Sequence, residues 1–123
     1  QDGVLTRNPD GSNQVVHGAI GAKYKDMGGA ESALGFPTSG ENAVNGGFFQ
    51  TFEKGSIYWS PKTGAHYILK SKIMDRWGQA GWEQGEFGWP TSDYSEIAAG
   101  GLSQEFQHGK ISEVLGQVRT EKK

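Results

Sequence analysis

A chain of 123 residues with a formal net charge of −2 can form one small domain or two short repeats, and it lacks the clustered basic face that nucleic-acid binding requires. The absence of cysteine excludes disulfide scaffolds and thiolate metal sites, and no apolar stretch approaches the roughly 20 residues of a membrane span. With 6 Phe, 4 Tyr, 4 Trp and 20 Gly, we expect a turn-rich fold with an aromatic core.

The N-terminal part of the chain predicts a short strand, a turn and a helix. Residues 4–6 are strand-like, and Asn8-Pro9-Asp10-Gly11 carries turn residues at each position. A helix is predicted over 17–27 because four apolar residues share one helical face: Val16, Ile20, Tyr24 and Met27. Gly28-Gly29 then ends the helix, as glycine commonly does.

A loop and a three-stranded meander follow the helix. The loop is Leu34-Gly35-Phe36-Pro37-Thr38-Ser39. Aromatic and β-branched runs between turn sequences predict antiparallel strands over 48–52, 56–59 and 65–69. The fold class expected is therefore α+β, built from small units that each hold a short antiparallel β-meander, one helix and this loop.

The same unit occurs twice in the sequence. Phe87-Gly88-Trp89-Pro90-Thr91-Ser92 repeats the loop 53 residues later (88 − 35 = 53), and a second helical face precedes it. We expect four segments: a closing hairpin of a preceding partial repeat (1–14), repeat 1 (15–65), repeat 2 with a divergent end (66–118) and a tail (119–123). One inserted residue is expected near Ala98-Ala99.

The pattern resembles the LGFP repeat family. The resemblance rests on ALGFPTS at 33–39, on the spaced motif GG-x-x-Q-x-F-x-x-G-x-IYWSP-x-TGA at 46–65, and on the partial second copy. It implies tandem accessory repeats attached to mycoloyltransferases and cell-wall hydrolases of mycolic-acid-containing actinobacteria. The implied location is extracytoplasmic, in the cell wall. The implied partners are arabinogalactan–peptidoglycan and neighbouring repeats or the catalytic domain of a parent protein, without nucleic acid or a membrane span.

The sequence offers no catalytic constellation. It contains no nucleophile elbow, no His-Glu-x-x-His, no EF-hand loop and no phosphate-cradling glycine loop. We therefore expect a non-enzymatic module without catalytic residues, metal or cofactor. The expected role is wall binding through spread carbohydrate contacts, and the alternative is a structural spacer or protein-docking stalk.

Aromatic side chains are the better candidates for ligand contact, because sugar rings pack their C–H faces on flat rings. The candidate carbohydrate-binding residues are Tyr58, Trp59, Trp82, Trp89, Gln50, Glu41, His66 and Arg76. Trp59 and Trp82 have no aromatic counterpart in the other copy, whereas Trp89 matches Phe36 and can equally be a core residue. The LGFPTS loop has two readings: local bonding that holds the fold, or a small anion or hydroxyl pocket.

Overall fold

The computed structural model describes residues 3–7, 13–97 and 100–123, so the turn predicted at 8–11 and the insertion near 98–99 lie outside the described residues. The elements in chain order are β1 (Gly3–Arg7), β2 (Asn13–His17), α1 (Gly18–Met27), a 3₁₀ turn (Gly29–Glu31), β3 (Asn42–Val44), β4 (Gly47–Phe52), β5 (Gly55–Ser60), β6 (Gly64–Leu69), α2 (Lys72–Gln79), a second 3₁₀ turn (Trp82–Gln84), β7 (Ser95–Glu96), β8 (Leu102–Phe106), β9 (Gly109–Val114) and β10 (Gln117–Lys122).

The strands form the antiparallel hairpin β1-β2 and two four-stranded sheets, with the orders β3-β4-β5-β6 and β10-β9-β8-β7. This arrangement confirms the predicted α+β class with antiparallel meanders. The chain divides into two compact units, Gln1–Ala65 and His66–Lys123, with the division falling inside β6. None of the described helices is long and apolar enough to cross a membrane.

In the first unit, α1 packs an apolar face on the sheet. Ile20 and Tyr24 are fully buried, and the Tyr24 ring stacks on Phe52 with the centroids 4.8 Å apart. Val16, which the periodicity assigned to the helix, lies at the end of β2 instead. The left-handed Gly18 (φ 64°) redirects the chain there, so that strand and helix share one buried face.

The second unit repeats this packing with a different aromatic pair. Trp77 of α2 takes the place of Tyr24, and its ring lies 5.2 Å from Phe106. The Ser71 side chain caps α2 by accepting a hydrogen bond from the Met74 N–H at 3.2 Å. Both helices end at a left-handed glycine, Gly28 (φ 112°) or Gly81 (φ 109°).

The LGFPTS loop is bonded into its own unit in the same way in both copies. The Ser39 hydroxyl accepts from the Thr51 N–H (3.2 Å), and the Gln50 amide donates to the Ser39 carbonyl (2.8 Å). In the second copy the Ser92 hydroxyl accepts from the Glu105 N–H (3.0 Å), and Gln104 donates to the Ser92 carbonyl (2.6 Å). These bonds support the reading of the loop as a structural element.

Each helix also holds the loop through its aromatic residue. The Tyr24 hydroxyl donates to the Gly35 carbonyl at 2.8 Å, and the Trp77 indole N–H donates to the Gly88 carbonyl at 3.0 Å. Burial, and then the nearby charge of Glu53, raises the pKa of Tyr24 above its ordinary value. Two different side chains thus supply the same hydrogen bond.

The C-terminal residues extend the second sheet. The sequence assigns 119–123 to a tail, whereas the structure places the chain as far as Lys122 in β10, which pairs with β9 from Gln117↔Val114 to Lys122↔Gly109. This strand carries only one apolar residue, Val118, and most of its residues are exposed. It therefore lacks the apolar alternation by which strands are recognised in a sequence.

Candidate functional site

A cavity of about 170 Å³ lies in the first unit, beside the start of α1. Its lining residues are Gly18, Ala19, Ile20, Glu41, Phe48 and Trp59. Phe48 is 36% exposed and Trp59 is half-buried, so the aromatic wall of the cavity is reached by solvent. Glu41 is the one charged residue among those that line this cavity.

The β4–β5 hairpin positions the aromatic wall. Phe48 lies directly opposite Trp59 in the register, and their rings stack at 5.9 Å with an interplanar angle of 27°. Side chains alternate along a strand, so Phe48 shares a face with Gln50 and Phe52, both of which are fully buried. The cavity is therefore the open end of the core face of this hairpin.

The cavity combines flat aromatic surface with one acidic residue. Flat aromatic surface suits the C–H face of a sugar ring, and the single carboxylate can accept from hydroxyl groups at the rim.

Two other predicted residues of the first unit lie outside this cavity. Tyr58 is 6% exposed and stacks on Phe49 at 5.2 Å, on the opposite face of the hairpin. Gln50 is fully buried, and its amide holds the loop at Ser39. Both side chains contribute to packing or to the loop in this structure.

The predicted residues of the second unit are dispersed. His66 Nδ1 lies 3.1 Å from Asp93 Oδ1, and Arg76 Nη2 lies 3.9 Å from Glu86 Oε2. Trp89 is 6% exposed, and its backbone N–H donates to Gln107 Oε1 at 3.1 Å. Trp82 is different: 43% of its surface is exposed, and its ring meets the edge of Trp77 at 5.5 Å.

An ionic cluster near Arg76 joins the end of the chain to its own unit. The Lys122 ammonium lies 2.9 Å from Glu86 Oε1, and this hydrogen bond lowers the pKa of Glu86. Arg76 and Lys122 also lie 5.7 and 5.4 Å from the centre of the Phe87 ring. Arg76 therefore belongs to the group of charged residues that holds β10 against the second unit.

The structure thus brings together two of the predicted residues, Glu41 and Trp59, and adds others that the sequence reasoning missed. The missed aromatic is Phe48, whose counterpart in the second copy is Leu102. Its signal was the same as that of Trp59, namely an aromatic residue in one copy only. Among the residues that the structure describes, no three His, Asp or Glu side chains are grouped so that they can hold a metal ion.

The fold and its doubled loop define a tandem α+β repeat module. Residues 34–85 match the model of the LGFP repeat, so this segment is an LGFP repeat and the resemblance is confirmed. The match runs from one loop to just before the next. LGFP repeats are cell-wall-associated and are not known as catalytic domains. No curated protein is significantly similar to the chain.

Proposed function

We propose that the chain is a non-catalytic wall-binding module that attaches a parent envelope protein to arabinogalactan–peptidoglycan. The location is extracytoplasmic, and the parent is a mycoloyltransferase or a cell-wall hydrolase. The observation that carries the proposal is the solvent-reached cavity in which Phe48 and Trp59 form a stacked aromatic wall beside Glu41.

Each site of this module binds weakly, and many sites acting together bind strongly. A cavity of about 170 Å³ contacts too little of a polysaccharide for tight binding on its own. Repeats in tandem make the second contact intramolecular, which raises the overall affinity without any new interaction. A polymer with repeated sugar units suits such a module better than a single small ligand does.

Co-sedimentation with purified arabinogalactan–peptidoglycan tests the proposal. We expect the folded chain to pellet with the complete wall material and to pellet less with peptidoglycan from which arabinogalactan has been removed by acid. If the folded chain stays in the supernatant with both materials, wall attachment is wrong. Turnover of wall fragments by the chain would overturn the non-catalytic part of the proposal.

Trp59→Ala should weaken wall binding about tenfold. The substitution removes the larger half of the aromatic wall, and stacking of this kind contributes about 0.5–1.5 kcal/mol per contact beyond area burial, where 1.4 kcal/mol is tenfold. Binding isotherms from the sedimentation assay measure the change, and circular dichroism verifies the fold.

The matched control for this substitution is Phe49→Ala. Phe49 lies in the same strand as Phe48 but stacks on Tyr58 at the opposite face of the hairpin. Its loss should leave wall binding within about twofold of the original value, because the cavity keeps its aromatic wall. Equal losses for the two variants would place the contact outside the cavity.

A docking role has support from one observation in the second unit. Leu115 is 93% exposed at the tip of the β9–β10 hairpin, in a left-handed conformation with φ 52°. An apolar side chain contributes nothing to folding at such a position, whereas it can be buried by a neighbouring repeat or by the catalytic domain of a parent protein.

Leu115→Asn should raise the free energy of unfolding by about 0.5–1 kcal/mol. Leu115 and Gly116 both have positive φ, as the central residues of a type I′ turn do, and Asn-Gly is the preferred pair there. Urea denaturation measures the gain. If Leu115 docks a partner domain, the same variant loses that association while it keeps wall binding. If the partner still binds, the docking role is wrong.

A further inference from the structure

The end of each helix carries a pair of residues that is interchanged between the two copies. In the first unit, Lys25 near the end of α1 is followed four residues later by Gly29. At the matching positions of the second unit, Gly78 in α2 is followed by Trp82. The large side chain precedes the glycine in one copy and follows it in the other.

The backbone at the second position favours glycine. Gly29 has φ 65° and Trp82 has φ 60°, so both copies are left-handed there. Glycine adopts this conformation without steric cost, whereas a residue with a Cβ is strained in it. Only Trp82 and Leu115 are non-glycine residues with positive φ in the described part of the chain. The fold therefore does not require tryptophan at position 82.

Glycine at position 78 also lowers the stability of α2, because glycine is a poor helix former. A Cβ on Gly78 would lie 2.7 Å from Cζ2 and 2.9 Å from Cη2 of Trp82. The six-membered ring of Trp82 thus lies against bare helix backbone, and it is fixed further by the edge contact with Trp77. Because Gly78 has no side chain, the ring can occupy this space.

We propose that Trp82 is a sugar-stacking platform on the second unit, separate from the Phe48–Trp59 cavity, with Gly78 as its seat. The ligand is the C–H face of a neutral furanose or pyranose ring of the wall polysaccharide, and in this respect the inference rests on the proposed wall attachment. Gly78 in the helix and Trp82 in a left-handed conformation are each unfavourable for local stability. Together they fix the Trp82 ring in place while a large part of it stays exposed to solvent.

The surroundings of Trp82 favour a sugar over an apolar protein surface. None of the described residues accepts a hydrogen bond from the Trp82 indole N–H, which can therefore donate to a hydroxyl group. The residues that follow in the same turn are polar, and the Gln84 amide donates to Glu83 at 3.4 Å. A ring with a polar rim matches a carbohydrate, which presents hydroxyl groups around an apolar face.

A titration of the whole chain with soluble arabinofuranose and galactofuranose oligosaccharides, followed by NMR, tests the platform. We expect the Trp82 indole N–H resonance to shift and saturate, and Trp82→Gly to weaken binding about three- to tenfold while it keeps the fold. Gly78→Ala retains the tryptophan but displaces its ring, so it should weaken binding similarly although it strengthens the helix.

The outcomes separate the platform from wall attachment. If the Trp82 resonance does not move at saturation, or if Trp82→Gly and Gly78→Ala bind as the original chain does, the platform is wrong. Wall attachment then still stands provided that the chain sediments and Trp59→Ala weakens it. Conversely, a shifting Trp82 resonance in a chain that does not sediment with wall material supports the platform and overturns wall attachment.

Discussion

Gly88→Ala should lower the free energy of unfolding by about 3 kcal/mol, and Gly35→Ala should lower it by less in the first unit, where the matching hydrogen bond is exposed to solvent. Both glycines have φ 77°, where a side chain costs on the order of 1 kcal/mol or more. A Cβ on Gly88 would also lie 2.7 Å from Gln107 Oε1 and 3.1 Å from Gln107 Cβ. The side chain of Gln107 must therefore move.

That movement removes a hydrogen bond which the loop needs. Gln107 Oε1 accepts from the Trp89 N–H at 3.1 Å, and in the first copy Glu53 Oε1 accepts from the Phe36 N–H at 3.0 Å. Loss of a partner for a backbone group in the loop costs about 1–3 kcal/mol if the group stays shielded from water. The conformational cost and the lost hydrogen bond together give the expected 3 kcal/mol.

Gly29→Ala is the matched control, because it separates conformation from contact. Gly29 has φ 65°, yet a Cβ there meets no atom within 4 Å. We expect it to lose only about 1 kcal/mol. Urea denaturation of the three variants gives the comparison from the transition midpoints, provided that the slopes agree. Equal losses at Gly29 and Gly88 would show that crowding at Gln107 contributes nothing.

The repeat made most of the fold predictable, because corresponding residues had to occupy corresponding places. Gln50 and Gln104 keep their identity and bond the same loop carbonyl. Glu53 and Gln107 differ, yet each supplies a side-chain oxygen to the same N–H. A sequence comparison weighs residue identity, whereas the loop requires only an acceptor, so this correspondence could be recognised only in the structure.

The boundaries of the elements were less predictable for a physical reason. Val16 continues the apolar spacing of the first helix and is fully buried, but it lies near the end of strand β2. A strand that runs into a helix through a sharp turn can place a residue near its end on the same buried face. The periodicity of buried residues therefore extends past the helix itself.

The candidate site could be predicted only in part. Trp59 was predicted as an aromatic residue without an aromatic counterpart in the second copy, and Glu41 was predicted as a candidate contact residue; both line one cavity. Phe48 was missed because its place in the cavity wall depends on the register that sets it opposite Trp59. Register is set by the tight β4–β5 turn, and a slip of one residue would turn Phe48 to the other face.

Gln104→Glu should reduce the free energy of unfolding at pH 7 by about 3–5 kcal/mol, enough to unfold a marginal repeat. Gln104 is fully buried, and its amide donates to the Tyr67 carbonyl at 3.1 Å and to the Ser92 carbonyl at 2.6 Å. A carboxylate has no hydrogen to donate, so a buried charge would face two carbonyl oxygens.

The loss should shrink in acid, and this pH dependence distinguishes charge from shape. Burial raises the pKa of the introduced carboxyl in the folded state above its unfolded value of about 4.3. The folded variant then binds more protons than the unfolded chain, so its stability is greatest below the unfolded pKa and falls as the pH rises through the folded one.

Gln104→Leu provides the neutral control for Gln104→Glu. It removes both hydrogen bonds without adding charge, and we expect a loss of about 2 kcal/mol that is the same at pH 4 and pH 7. Urea denaturation of both variants and the original chain at the two pH values measures the difference. If Gln104→Glu loses as much at pH 4 as at pH 7, the buried charge is not the cause of its loss. If Gln104→Leu loses almost nothing at either pH, the two carbonyl contacts contribute little to holding β6 and the second loop on β8.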